Sequence, residues 1–149
     1  MTQQRKLNQI SCLFAFIVFV SSFYTGTAFA EMVVIVNPAT SADSLTAKEV
    51  RAIFLKKEDA FPDGTTAIPG DQTDGSAIRD EFSEKVLNKS PNQLSAFWSK
   101  RVFSGKGVPP AVIGDDTAMT EWVARTPGSI GYVDAGSVNQ SVKVILNIK

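Results

Sequence analysis

The chain has 149 residues, and its 15 Lys plus Arg balance its 15 Asp plus Glu, so the formal net charge is zero. Nucleic-acid binding rests on a basic footprint, which this composition does not provide. The sequence has no histidine and a single cysteine, Cys12, which removes the commonest zinc ligand, the usual base of a serine triad and any intrachain disulfide. We therefore expect no metal, no cofactor, no nucleic-acid partner and no enzymatic activity.

The first 30 residues have the three parts of a secretory signal peptide. A basic segment with Arg5 and Lys6 precedes the apolar run Ile10–Val20, and Ala28-Phe29-Ala30 fits the small-x-small cleavage rule. The apolar run is shorter than the roughly 20 residues that a membrane-spanning helix needs. We predict cleavage after Ala30 and export to the periplasm, with an uncleaved anchor as the alternative.

The remaining chain, residues 31–149, is predicted to be one soluble domain. Its 119 residues are enough for one domain by the usual prior of about 100 to 200 residues each. The signal segment removes two basic residues and no acidic ones, which leaves this domain with a net charge of −2.

A strand followed by a helix is predicted at the start of this domain. Met32–Val36 is a short β-branched run closed by Asn37-Pro38, which is typical of a buried strand that meets a loop. The period then becomes helical, with Thr46 or Ser44 as N-cap and Glu49 in the capping-box position for Thr46. The apolar stripe of this helix consists of Val50, Ile53 and Phe54.

A second strand and helix enclose a loop of small residues. Thr65–Ile68 is a short strand candidate that runs into Pro69-Gly70. The loop Asp71–Ser76 then leads into a helix whose apolar residues recur every four positions. Backbone N–H groups at such a helix start can bind an anion, although an ordinary helix cap is the simpler interpretation. The apolar residues of the helix are Ile78, Phe82 and Val86.

Two further helices and two strands complete the predicted elements. Ser90-Pro91 has the N-cap and N1 order of a helix start, and Ser104–Pro110 cannot continue that helix. Asp115 or Asp116 caps another short helix. The predicted inner stripe of the first helix is Leu94, Phe97, Trp98 and Val102, that of the second is Met119, Trp122 and Val123, and the closing strands are 130–133 and 142–148.

Strands separated by helices predict an α/β fold with a mixed or parallel sheet flanked by helices. Such sheets bind ligands beyond the carboxyl ends of their strands, where helix N-termini converge. We therefore expect two loops, residues 37–46 and Asp71–Ser76, to lie on the same rim of the sheet.

Three segments, in order, resemble the periplasmic phosphate-binding proteins of ABC transporters. Leu45–Phe82 is similar to that family's helix with an IFLGK-type ending, aromatic-x-Asp-Gly turn, strand and DGSGT loop. Arg125–Ala135 resembles its TPGAIGYV turn and strand, and Trp98–Pro110 resembles small phosphate-binding-like members. The resemblance implies a periplasmic-binding-protein-like (type II) lobe and a ligand-binding role.

The resemblance also locates departures from the family. Full-length members close two lobes over phosphate, whereas 119 residues supply about one lobe or a reduced version of two. The family loop reads Arg-x-Asp-Gly-Ser-Gly-Thr, and its Arg, Ser, Gly and Thr touch phosphate. Here Asp74 and Ser76 are retained, but Gln72 replaces the arginine and Ile78 replaces the threonine. A neutral amide cannot make the charge-assisted bidentate contact of a guanidinium.

Two basic residues are candidates to supply the missing charge. Arg79 lies one turn past Ser76, so its side chain can fold back toward the helix start, and Lys106 lies between two glycines. The alternatives are that Arg79 is a solvated residue paired with Asp80 or Glu84, and that the glycines only end a helix.

The sequence favours a periplasmic solute-binding-like protein that recognises a small oxyanion, phosphate first, for an ABC transporter permease. An acid in the site, Asp74, would favour a ligand that keeps a proton to donate, as monohydrogen phosphate does and sulfate does not. The alternative is a ligand-free single-lobe interaction module that binds a periplasmic sensor or envelope partner, and a homodimer that restores the cleft stays open. The candidate ligand contacts are Thr73, Asp74, Gly75, Ser76, Arg79, Lys106, Thr40 and Ser41.

Overall fold

The computed structural model describes residues 31–149, so the predicted signal peptide lies outside the described residues. None of the described helices is long and apolar enough to cross a membrane. The strands are β1 (Met32–Val36), β2 (Ile68–Gln72), β3 (Ala111–Gly114), β4 (Ser129–Asp134) and β5 (Lys143–Ile148). The helices are α1 (Ala47–Phe54), α2 (Ala77–Lys85), α3 (Pro91–Phe103) and α4 (Asp116–Arg125), with a 3-10 turn at Ala135–Ser137.

The five strands form one mixed sheet in the order β3-β2-β4-β1-β5. Strand β2 pairs in parallel with β3 and β4, whereas β1 is antiparallel to β4 and β5. Helices connect most of the strands, which confirms the predicted α/β class with a mixed sheet flanked by helices.

Both faces of the sheet are covered, which explains why β1 is apolar at every position. Met32, Val34 and Val36 face the larger core, which includes buried residues of α1, α2 and α3. Val33 and Ile35 face the smaller core, which Met119 and Val123 of α4 complete. Because successive strand residues point to opposite faces, a strand buried on both sides reads as a continuous apolar run.

An aromatic cluster packs helix α2 onto the sheet in the larger core. The ring of Phe82 on α2 stacks on that of Tyr132 on β4, with centroids 3.8 Å apart, and lies 4.7 Å from the ring of Phe54 on α1. All three side chains are buried. This packing fixes the start of α2 close to the end of β2, where the candidate site lies.

The predicted caps of three helices are confirmed. Thr46 and Glu49 form a complete capping box at the start of α1, and Ser90 does the same with Gln93 at α3. Asp115 accepts a hydrogen bond from the N–H of Ala118 at the start of α4. Each cap satisfies N–H groups that would otherwise lack an intrahelical partner.

The second strand lies further along the chain than its sequence predicts, at Ile68–Gln72 instead of Thr65–Ile68. Pro69-Gly70 does not end the strand. Pairing with β3 begins only at Gly70, so the missing N–H of Pro69 leaves no carbonyl of β3 without a hydrogen bond. A Cβ at Gly70 would lie 2.6 Å from the ring of Trp122, so glycine allows α4 to pack closely on the strand. Strand β3 itself was not predicted, since four partly exposed residues carry little periodic signal.

The expectation that the two loops share a rim is wrong. Strand β1 runs antiparallel to β4, whereas β2 runs parallel to it with Ile68 opposite Ser129. The carboxyl ends of β1 and β2 therefore lie at opposite ends of the sheet. The polar residues after β1, including Thr40 and Ser41, cannot share one site with the Asp71–Ser76 loop.

Candidate functional site

The candidate site is the turn that joins β2 to α2 at the carboxyl end of β2. The N–H of Thr73 donates to the carbonyl of Gly114 at 3.0 Å, which ties the turn to the end of β3. The N–H of Ser76 donates back to the carbonyl of Thr73 at 3.1 Å, and Gly75 has a φ of +75°. Glycine adopts this left-handed conformation without a steric penalty. Thr73, Asp74 and Gly75 are exposed to solvent.

Ser76 begins helix α2 without capping it. Its side chain accepts no hydrogen bond from the first turn, in contrast to the capping residues of the other three described α-helices. Its Oγ is buried and has no hydrogen-bond partner among residues 31–149. A buried hydroxyl without a partner costs free energy, so the site has an unsatisfied polar group at a helix N-terminus.

Arg79 folds back toward the helix start, as predicted, but its partners are two aspartates. Its Nη2 lies 2.9 Å from Asp71 Oδ2, and its Nη1 contacts Asp74 Oδ1. The predicted alternative partners, Asp80 and Glu84, do not pair with it in the described part of the chain. The guanidinium is thus shared between two carboxylates, and these three side chains carry a formal charge of −1 when both acids are ionised.

Asp71 connects the turn to the aromatic cluster. The Tyr132 hydroxyl donates to Asp71 Oδ1 at 2.5 Å and accepts from the N–H of Gln72 at 3.3 Å. Burial raises the pKa of Asp71, and this effect exceeds the opposing effects of the Tyr132 hydrogen bond and the Arg79 charge. Burial also raises the pKa of Tyr132, and the negative charge of Asp71 adds to that increase.

The two residues that depart from the family loop both face the protein interior. The Gln72 side chain donates from Nε2 to Asp116 Oδ1 at 2.6 Å and to the Tyr132 carbonyl at 3.0 Å, and the residue is 1% exposed. Ile78 packs against the larger core. Both side chains therefore contribute to packing and do not line the exposed surface of the turn.

The other predicted contacts lie away from the turn. Lys106 lies in the turn after α3 and outside the lining of the cleft between α2 and α3, and its carbonyl accepts a 2.8 Å hydrogen bond from Arg101, whose Nη2 also donates to the carbonyl of Lys56. Thr40 is buried near Lys143, and Ser41 is exposed at the opposite end of the sheet. The structure thus brings together Thr73, Asp74, Gly75, Ser76 and Arg79, but not Lys106, Thr40 or Ser41.

A cleft of about 730 Å³ opens beside the turn, between helices α2 and α3. Asp74, Arg79 and Asp80 line one side, and the side chains of α3 line the other. In the described part of the chain, no group of three or more acidic, histidine or cysteine residues is arranged to hold a metal ion. The wall from α3 and its following turn includes Leu94, Trp98, Val102, Phe103 and Pro109.

Sequence reasoning missed Asp71, Tyr132 and the exposed end of α3. The available signal for Asp71 and Tyr132 was an aspartate at the end of a largely buried strand, because a buried carboxylate needs a hydrogen-bond donor or a cation beside it. Val102 was predicted to be part of the inner stripe of α3, but it is 50% exposed at the mouth of the cleft.

This fold is periplasmic-binding-protein-like, and its similarity to solved structures supports that class. No protein-family model matches the sequence, and no curated protein matches it. An ABC-type phosphate transport receptor from Vibrio cholerae superposes with a TM-score of 0.64 at 18% identity, over 77% of this chain and 45% of the receptor.

Two more structures show the same relationship. A protein from Clostridium perfringens, assigned to the phosphate ABC transporter substrate-binding proteins and solved with bound phosphate, has a TM-score of 0.63 at 18% identity, over 77% of this chain and 44% of that protein. PstS from Borrelia burgdorferi has a TM-score of 0.60 at 14% identity, over 77% of this chain and 46% of PstS. The matched region of this chain spans less than half the length of each, and identities this low show the fold alone.

Proposed function

We propose that this protein is a periplasmic solute-binding-like module that recognises a small oxyanion, phosphate first, at the β2–α2 turn. The contacts would come from Thr73, Gly75 and Ser76 at the start of α2, with Arg79 supplying positive charge. The proteins with similar folds are phosphate-transport receptors by name, which supports phosphate as the first ligand to test and an ABC transporter as the system served.

The observation that carries the proposal is the Ser76 hydroxyl. It is buried without a partner among the described residues, at the start of the one described α-helix that lacks a side-chain cap. A bound oxyanion would accept its hydrogen bond together with those of backbone N–H groups in the first turn of α2, which have no intrahelical acceptor. The helix dipole favours negative charge at the same place by about 0.3 to 1 kcal/mol.

The charge of the turn limits the affinity that we expect. Arg79 already contacts Asp71 and Asp74, so an anion must compete with two carboxylates for one guanidinium. Gln72 stands where the family that the sequence resembles has a phosphate-binding arginine, and the Gln72 side chain faces the core. We therefore expect weak binding, with a dissociation constant on the order of 0.1 to 1 mM.

Calorimetric titration with phosphate, sulfate and chloride tests the proposal. Phosphate should give saturable heat, and Ser76→Ala should weaken binding about tenfold or more, because a hydrogen bond to a charged group contributes about 1.5 to 3 kcal/mol. Glu84→Ala, an exposed change on the same helix, is the matched control and should bind as the unchanged protein does. Absence of heat with protein near 0.1 mM, or equal binding by both variants, would refute anion recognition at this turn.

Asp74→Asn separates two roles of the exposed acid in the turn. If the Asp74 carboxylate accepts a hydrogen bond from the protonated oxygen of the ligand, the substitution lowers affinity for phosphate and not for sulfate. If Asp74 only neutralises Arg79, the substitution raises affinity for both anions. We expect the second result, because Asp74 contacts Arg79 and therefore competes with an incoming anion for its guanidinium.

The second candidate function is partner binding by a single lobe that retains no ligand. The paired state of Arg79 and the core position of Gln72 favour it, because they leave the turn without a free guanidinium. A periplasmic sensor or envelope protein is the class of partner that this candidate implies. Its decisive result would be partner binding that Ser76→Ala leaves unchanged.

A further inference from the structure

Helix α3 ends in an exposed apolar surface beside the cleft. Phe103 is 96% exposed and Val102 is 50% exposed, and both line the cleft mouth. Single exposed apolar residues are common, but two large ones at the opening of a cleft form a surface suited to a second molecule. Leu94 and Trp98 continue the same surface inward along α3.

The opposite side of this cleft is acidic. Asp74 and Asp80 line it, and Asp71 lies behind them in contact with Arg79. Among the described residues, Arg79 is the only basic residue that lines this cleft, so two lining aspartates stand against one guanidinium. The side facing α3 therefore has a formal charge of −1, and Asp71 behind it pairs with the same guanidinium.

The basic residues of α3, Lys100 and Arg101, do not line the cleft. Arg101 donates to main-chain carbonyls of Lys56 and Lys106 and lies over the ring of Phe97, and Lys89, which precedes α3, lies over the same ring. None of these residues lines the cleft. The two sides of α3 thus differ in charge, and only the cleft side combines apolar surface with acids.

We propose that the α2–α3 cleft is a docking groove for a partner-protein segment that carries a large apolar side chain next to Lys or Arg. The apolar side chain would pack between Trp98 and Phe103, and the cation would lie against Asp74 and Asp80. This deepens the partner-binding candidate and does not require phosphate binding at Ser76, although the two sites share Asp74 and Arg79. Helix-in-groove recognition uses such apolar anchors, and complementary charge sets specificity and association rate.

A second copy of this chain fits the groove less well than a basic segment does. In a two-fold symmetric dimer the same patch meets itself, so Asp74 and Asp80 would approach the same acids of the other copy. Like charges placed together in this way oppose association. The cleft volume of about 730 Å³ also suits a few side chains of a peptide.

The test uses three synthetic peptides with blocked ends and equal length, made of Leu and Lys, of Leu and Glu, and of Ser and Lys. Calorimetry should show saturable binding of the Leu–Lys peptide alone. Phe103→Ser should weaken that binding about tenfold, as truncation of an interface anchor does, and Asp80→Asn about threefold. Phe103 is exposed, so its replacement should leave the fold intact, which circular dichroism checks.

Two matched controls complete the test. Val144→Ser changes an exposed apolar residue on β5, and Glu84→Gln removes an acid from α2 outside the cleft lining. Both should bind the Leu–Lys peptide as the unchanged protein does.

Equal weakening by controls and cleft variants, or equally tight binding of the Leu–Glu peptide, would overturn the proposal. So would sedimentation that shows a dimer dependent on Phe103, because the second copy would then be the occupant. Loss of phosphate binding alone would leave the proposal standing, since the two titrations are separate.

Discussion

Replacing Tyr132 with Phe should destabilise the protein by removing one buried hydroxyl and little else. The ring stays in place, because it stacks on Phe82 with centroids 3.8 Å apart. The hydroxyl donates to Asp71 at 2.5 Å and accepts from the N–H of Gln72 at 3.3 Å. Asp71 keeps its contact with Arg79, so the substitution weakens this network without dismantling it.

We expect a loss of about 2 kcal/mol in the free energy of unfolding, because hydrogen bonds to charged groups contribute about 1.5 to 3 kcal/mol. Urea unfolding of the protein followed by circular dichroism measures this change. With an m-value of about 1 to 3 kcal/mol/M, the midpoint should fall by about 1 M while the m-value stays constant.

Asp71→Asn provides the control, since its amide oxygen still accepts from Tyr132 but carries no charge. In that background Tyr132→Phe should cost about 1 kcal/mol, the contribution of a neutral hydrogen bond. The difference between the two costs is the coupling energy of the charged pair. A cost below about 0.5 kcal/mol in the unchanged protein, or equal costs in both backgrounds, would refute the reasoning.

Three further predictions follow from particular contacts. The pKa of Tyr132 is raised in the folded protein, so the stability that its protonated hydroxyl contributes is fully present below the unfolded pKa of about 10 and is lost as pH rises above it. The free energy of unfolding should therefore fall more steeply above pH 10 in the unchanged protein than in Tyr132→Phe, which urea unfolding at a series of alkaline pH values tests. Thr46→Ala should lower stability by about 1 kcal/mol through loss of the capping box, whereas Ser76→Ala should change it by less than about 0.5 kcal/mol, and an equal loss would contradict the uncapped state of α2. Gln72→Arg should lower the melting temperature and not increase phosphate affinity, because the side chain faces Asp116 inside the protein; a gain in affinity would show that this position reaches the ligand.

The sequence predicted most of the fold because local and periodic signals agreed. Met32–Val36, the capping box at Thr46 and the Ser90-Pro91 helix start are all confirmed. The direction of β1 had no such signal. A buried strand reads the same whether it runs parallel or antiparallel, so the placement of Thr40 and Ser41 beside the turn depended on a topology that the residues alone did not specify.

The candidate site was predicted in position but not in its contacts. Thr73–Ser76 and Arg79 do come together, because helical spacing brings a residue one turn into α2 back over the helix start. The pairing of Arg79 with Asp71 depends on how far along the chain β2 extends, which a local sequence pattern does not encode. The same holds for Gln72, whose role is defined by Asp116 on another element, 44 residues away.

Arg79 links the stability of the turn to its capacity for a ligand. Its contact with Asp71 joins α2 to the end of β2, and the Asp71 side chain is only 9% exposed. Asp74, which contacts the same guanidinium, has a side chain that is 89% exposed. Water screens the outer pair strongly and the inner pair weakly, so the inner aspartate holds Arg79 in place and the outer one competes with an incoming anion. An anion that displaces Asp74 gains one face of the guanidinium while Asp71 keeps the other. Because Asp71 stays paired with Arg79, it neutralises part of the guanidinium charge and limits the affinity for the anion. The same pair keeps the turn stable, so the protein can keep its fold and still bind an oxyanion only weakly.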